Sequence, residues 1–169
     1  FGQAYTIGVA AGLRFDEYWN NRSKNLKTNI RRSFKRLEKE SKPLSLTRIT
    51  CRESMEEGVA RFGALESAGW KGSAGTAISM GNVQGAFYID VLQRFTDTGQ
   101  AAIYQLEVAE QLAASLLVID CRVMSVLLKT TYDESFAQIS PGRIQLYKII
   151  DDQLTARPQQ TIEFYTNAT

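Results

Sequence analysis

The sequence predicts a mixed α/β fold of the α+β kind, with one sheet flanked by helices. Three observations carry this. Apolar residues recur at helical spacing in four separate segments. Three strand-like segments follow one another between residues 101 and 131, joined only by short turns. Residues 123–154 then read as a buried strand, a polar turn and a capped helix. That last arrangement matters most, because free backbone N–H groups and the helix dipole converge where such a strand ends.

In chain order, residues 4–9 alternate weakly and form a short strand. Residues 15–40 form one long helix, roughly 39 Å at 1.5 Å per residue. Its apolar stripe is Phe15, Trp19, Leu26, Ile30, Phe34 and Leu37. Lys24, Lys27, Arg31 and Lys35 run along the opposite side, with Arg32, Arg36 and Lys39 nearby. This density of positive charge suits either a solvated helix face or a polyanion. Pro43 stops the helix, since the residue before a proline avoids helical geometry. Residues 44–50 alternate as a strand. Ser54 and Glu57 match a capping box at the start of a second helix, with Met55, Val59, Phe62 and Leu65 buried.

Residues 70–75, WKGSAG, form a loop of small residues beside a Trp and a Lys. A third helix covers 85–98, with Phe87, Tyr88, Val91, Leu92 and Phe95 buried and Gly99 as its stop. Strands follow at 101–108, where Tyr104, Leu106 and Val108 share a face, at 112–119 and at 123–131. The last is rich in β-branched and apolar residues, as a strand covered on both faces should be. Residues 132–140 form the turn. Ser140 suits an N-cap and Pro141 the first helical position. Ile144, Tyr147, Ile149, Ile150 and Leu154 give the apolar face of the final helix. Residues 161–165 form a last strand after Pro158.

Composition narrows the chemistry. The 169-residue chain has a net charge of only +2, so it has no overall nucleic-acid or membrane signature. No apolar run reaches the roughly 18 residues of a membrane span. There is no histidine, which excludes Ser-His-Asp and Cys-His nucleophiles and His-ligated zinc within this stretch. Chemistry must rest on carboxylates, Lys, Tyr, Ser, backbone donors or a cofactor, and no metal is expected. Cys51 and Cys121 form no motif and are expected to be packing residues. Phe1 is not an initiator Met, so the chain is expected to be an incomplete domain cut from a longer protein. The strict βαβα order and the G-x-G-x-x-G of a Rossmann domain are absent.

Two segments carry a resemblance. KTTYDESFAQISPG, residues 129–142, is similar to the "K-x-x-Y-D-x-x-[YF]-x-x-x-S-P-G" segment of GNAT-type acetyltransferases associated with bacterial cellulose and polysaccharide biosynthesis. These enzymes are relatives of the FemAB aminoacyl transferases. LESAGWKGSAGTAI, residues 65–78, resembles that family's "E-x-x-x-W-K-G-x-x-G" segment. The resemblance implies a GNAT-like, mainly antiparallel sheet in which strand 123–131 splays from strand 161–165. It implies an acyl-CoA co-substrate, acetyl-CoA the simplest, and a saccharide or other small-molecule acceptor in the bacterial cytoplasm. The acyl donor would lie along Val126, Leu127 and Leu128 and at the helix start formed by Ser140, Gly142 and Arg143. Asp133, Glu66 and Lys71 are candidate bases and Tyr132 a candidate proton donor to the leaving thiolate. Trp70 and Lys129 would contact the acceptor. The usual "Q/R-x-x-G-x-G/A" pyrophosphate loop is replaced by ISPGR, with a single glycine. Two alternatives stay open: a FemAB-like transferase that takes aminoacyl-tRNA on the basic helix at Arg31, Arg32, Lys35 and Arg36, and a non-catalytic GNAT-like interaction module.

Overall fold

The computed structural model describes residues 7–69 and 77–164. Its strands are β1 (Ile7–Val9), β2 (Leu44–Ile49), β3 (Ala101–Val108), β4 (Gln111–Asp120), β5 (Met124–Tyr132) and β6 (Thr161–Phe164). They form one sheet in the order β1-β6-β5-β4-β3-β2. Every neighbouring pair is antiparallel except β5 with β6, which is parallel. The helices are α1 (Phe15–Asn20), α2 (Lys24–Lys39), α3 (Met55–Ala68), α4 (Val83–Thr96) and α5 (Pro141–Ala156). This is the mixed, mainly antiparallel sheet flanked by helices that the sequence predicts.

β3 and β4 are covered on both faces, so nearly all of their residues are buried rather than alternating. On one face, Ile149, Ile150 and Leu154 of α5 pack on Tyr104, Leu116 and Leu127. Ile30 and Leu37 of α2 extend that layer over Leu106 and Ala114. On the other face, Met55, Val59 and Phe62 of α3 and Leu92 of α4 cover Ile103 and Leu117.

Five local expectations change. The single helix over 15–40 is two, because the chain breaks at residues 21–23 and Ser23 starts α2 afresh, its hydroxyl accepting the Leu26 N–H at 3.2 Å. Ser54 forms no capping hydrogen bond to α3, because a 3₁₀ turn at Arg52–Ser54 precedes that helix and places Ser54 in helical geometry. α4 begins earlier than expected, with the Asn82 side chain accepting the Gly85 N–H. Phe87 is 58% exposed and Phe95 is also exposed, because α4 buries a narrower stripe than its aromatic content suggests. Cys51 is exposed rather than packed, and both cysteines are free.

A buried polar network holds one end of the sheet. Asp120, at the end of β4, is 4% exposed. It accepts from Arg48 of β2 at 3.1 Å, from Ser125 of β5 at 2.5 Å, and from Arg157 just beyond α5. The Tyr104 hydroxyl accepts from Arg48 and from Gln153 of α5, both at 3.1 Å, and donates to Asp152. Burial pushes the Tyr104 phenol above its ordinary pKa. Gln160 donates to the Cys121 carbonyl at 2.7 Å, so the approach to β6 is tied to the β4–β5 turn. The network joins β2, β4, β5 and the segment leading into β6.

Removing one member of such a group leaves buried charge uncompensated. Asp120→Ala is expected to cost about 3–5 kcal/mol in urea unfolding. A loss below about 1 kcal/mol would show that Arg48 and Arg157 are solvated without it.

Candidate active site

β5 leaves this anchored end and runs toward the surface at Tyr132. Its parallel pairing with β6 extends only from Met124↔Thr161 to Leu127↔Phe164. From Leu128 onward, that edge of β5 has no strand partner among the described residues. A register shift falls at the same place: Leu127 opposes Val118, but Lys129 opposes Leu117, so Leu128 is the extra residue of a β-bulge. A bulge leaves a residue unpaired in the ladder and re-aims its neighbours. Of the expected donor contacts, Val126 and Leu127 pair with β6, and Leu128 is the first residue past the last described pair.

The bulge also sorts the side chains. Leu127 packs toward α5. Leu128 packs toward α3 and α4, and Lys129 turns to the same side, reaching Glu66 on α3. Alternation then resumes, so Thr130 and Tyr132 line a cavity on the α5 side.

That cavity, of about 320 Å³, lies against the first turn of α5 and includes Ala137, Ser140, Gly142 and Leu146 in its wall. The turn leading to it is more ordered than its polar sequence suggests. The Asp133 N–H donates to the Ala113 carbonyl at 2.9 Å, and its carboxylate accepts the Ser135 N–H at 2.8 Å. A 3₁₀ helix at Glu134–Ile139 follows, burying Phe136 and Ile139. Ser140 occupies the N-cap position, but its side chain makes no capping bond, because the residue is left-handed at φ 52° and ψ 63°. Its carbonyl accepts the N–H of both Arg143 and Ile144.

Pro141 has no N–H to offer. Gly142 thus carries the one first-turn N–H of α5 without a partner among the described residues. Arg143 beside it is exposed and makes no ion pair among them. This is a sparser anion cradle than a glycine-rich loop, as ISPGR predicts. A Cβ on Gly142 would meet Tyr132 Cδ1 at 3.6 Å, an ordinary contact, so alanine fits there while a large side chain would enter the cavity. A second cavity, of about 390 Å³, shares Ser140 and is lined by Arg32 and Arg36 of α2. The sequence shows the basic residues but not their approach to Ser140, which depends on how α2 packs.

Glu66 lies on the other face of β5. It is 1% exposed, accepts the Ile78 N–H at 2.8 Å and pairs with Lys129 at 3.1 Å. The Lys129 ammonium stands 5.9 Å from the Tyr88 ring centroid. Two glycines fix the same segment. A Cβ on Gly63 would sit 2.4 Å from the Ile78 carbonyl oxygen, and one on Gly85 would sit 1.9 Å from that of Ser79. Only glycine lets α3 and α4 approach residues 78–79 this closely. Glu66 thus joins α3, β5 and the exit of the 70–75 segment. Trp70 and Lys71 lie outside the described residues. The structure brings Tyr132, Ser140, Gly142 and Arg143 together around one cavity and joins Glu66 to Lys129 across the strand from it.

Residues 24–169 match the family described as acetyltransferase (GNAT) domain, and the chain belongs to that family. No curated protein sequence matches it significantly. Among solved structures it is similar to FemX, at TM-score 0.67 and 10% identity over 97% of this chain and 52% of that one. It is also similar to a conserved protein of unknown function from Bacteroides thetaiotaomicron, at TM-score 0.59 and 12% identity, covering 96% and 50%. A third is a C-terminal domain assigned to a lysylphosphatidylglycerol synthetase of Agrobacterium fabrum, at TM-score 0.57 and 9% identity, covering 95% and 47%. At such identities the likeness is one of fold. The chain spans about half the length of each of these structures.

Lys129→Met removes one charged partner of the buried Glu66 carboxylate and is expected to destabilise the fold by about 1–3 kcal/mol. Glu66→Gln added to it removes the charge while keeping an acceptor for the Ile78 N–H, so the double variant should recover part of that loss. Urea titration of both variants measures it, and equal stability of the single and double variants would contradict the pairing.

Proposed function

We propose that the chain is an acyltransferase that takes acyl-CoA as donor and an amine or hydroxyl of a saccharide or related small molecule as acceptor. The observation that carries this is that the edge of β5 beyond Leu127, which has no strand partner among the described residues, meets the cavity at the start of α5. The residues there fit such a donor. The backbone from Leu128 onward, beside Val126 and Leu127, suits the amides of an extended pantetheine arm, by strand-like pairing. The Gly142 N–H, Ser140 and Arg143 suit its phosphates, with Arg32 and Arg36 adjoining. Acyl-CoA brings an acyl group already activated as a thioester.

The chain's own contribution is chiefly to hold the two reactants in place. The Leu128 bulge supplies backbone N–H groups suited to polarising the acyl carbonyl. Tyr132 lines the donor cavity and is assigned as the proton donor to the leaving sulfur. Asp133, next in sequence, is assigned as the acceptor's base. Glu66 is assigned as a positioning residue that sets Lys129 and the bulge. On motif resemblance Lys71 is kept as an alternative base, and Trp70 and Lys129 are assigned to the acceptor side. The polysaccharide-related acceptor class rests on the same resemblance.

A second reading, transfer from aminoacyl-tRNA, is favoured by one specific observation: Arg32 and Arg36 line a cavity that shares Ser140 with the donor cavity. The fold likeness to FemX agrees with it. Salt separates the two readings, because polynucleotide binding weakens steeply as counterions are added.

Acetyl-CoA at about one hundred times its Kd should stabilise the protein by roughly 2.7 kcal/mol, a Tm shift of about 5–11 °C. Gly142→Trp is expected to abolish the shift and Gly142→Ala to preserve it. No shift in the unaltered protein with acetyl-CoA or longer acyl-CoAs would overturn the acyl-CoA reading.

A further inference from the structure

We infer that the cleft bounded by α1, α2 and α5 binds a single-stranded polynucleotide, with bases against Trp19, Phe34 and Tyr147 and phosphates on Lys24, Lys27, Arg31 and Lys35. The cleft has a volume of about 630 Å³ and is lined by all seven residues. It lies on the opposite flank of α2 from Arg32, Arg36 and Ser140 and so stands apart from the donor cavity. The inference holds whichever donor the enzyme uses.

Two independent features meet there. The first is charge. The protein carries 20 Lys and Arg residues for a net charge of only +2, yet α2 places seven of them in 16 residues with Glu38 as its one carboxylate. Lys24, Arg31 and Lys35 are exposed and make no ion pair among the described residues. Lys27 donates to the Asn20 carbonyl at 3.0 Å, which leaves its charge uncompensated. Glu38 also lines the cleft, on the next turn beyond Lys35.

The second feature is the aromatic wall. Tyr147 meets Trp19 edge-on at 4.6 Å between ring centroids and Phe34 at 5.8 Å. All three rings are half-buried while lining the cleft. A cationic groove beside aromatic rings is the arrangement that holds single strands, because every base offers a π face to stack. Length decides between a strand and a mononucleotide. The row from Lys24 to Lys35 spans about 16 Å of helix, and a diphosphate reaches only two neighbouring cations of it. A base-paired helix would offer phosphates but keep its bases from the rings.

The test is fluorescence anisotropy of a short labelled oligoribonucleotide titrated with the whole chain across a salt series. With four phosphates engaged, log Kobs should fall with log salt at a slope of about −3, from about −0.7 per phosphate. The double variant Arg31→Glu/Lys35→Glu should bind at least about tenfold more weakly and flatten the slope by about 1.4. Arg32→Glu/Arg36→Glu, on the other flank, should change binding much less. In a Trp70→Phe background the emission of Trp19 should be quenched by the oligonucleotide and not by inorganic polyphosphate. The inference is overturned if the oligonucleotide does not bind, if both charge reversals weaken it equally, or if polyphosphate binds as tightly as the oligonucleotide.

Discussion

The candidate site depends on one constraint: β5 is tied into a buried charge network at one end and carries a bulge at Leu128 toward the other. At the tied end, the Asp120 carboxylate gathers Arg48, Arg157 and Ser125 from three other parts of the chain. A buried carboxylate tolerates that position only with its partners in place. Toward the other end, the last described pair with β6 is Leu127↔Phe164, and the ladder to β4 slips by one residue. From Leu128 onward that edge of β5 has no strand partner among the described residues, and open backbone N–H and C=O groups call for one. A ligand with amides of its own satisfies that requirement.

The bulge at Leu128 links the two faces of the sheet. Were Leu128 paired in regular register with no bulge, Lys129 would point into the α5 side and Thr130 toward α3, since a shift of one residue exchanges the faces of a strand. With it, Lys129 reaches the Glu66 carboxylate, and Thr130 and Tyr132 face the cavity. The same Glu66 holds the Ile78 amide, with Gly63 and Gly85 pressed against the adjoining backbone. One buried carboxylate therefore relates residues 78–79 to the bulge of β5. This gives a physical reason for both motif segments to lie in one chain: they meet at the Glu66–Lys129 pair.

Much of the fold was legible because its signals are local. The meander from 101 to 131, the Pro141 start of α5 and the Gly99 stop, at φ +70°, rest on strand composition, a fixed φ and glycine's freedom at positive φ. The break between α1 and α2 was missed because the apolar stripe runs on through it, and only Ser23 marks the cap. Ser140 was a misleading signal: its residue type suits a cap, but its left-handed backbone turns the side chain away from that task. The site was legible only in part. Tyr132, Ser140, Gly142 and Arg143 are close in sequence, so the strand–turn–helix reading groups them without a structure. The approach of Arg32 and Arg36 to Ser140, and of Glu66 to Lys129, joins residues more than sixty positions apart, and periodicity carries no information about such distances.

The central question is whether the edge of β5 beyond Leu127 is where the donor sits. Backbone amide hydrogen exchange, with and without acetyl-CoA, tests this most directly. The account predicts that the donor slows exchange at Leu128 and Gly142. Ser125, already buried in the Asp120 network, should stay unchanged. Protection spread evenly over the sheet, or confined to residues away from β5 and the first turn of α5, would contradict it.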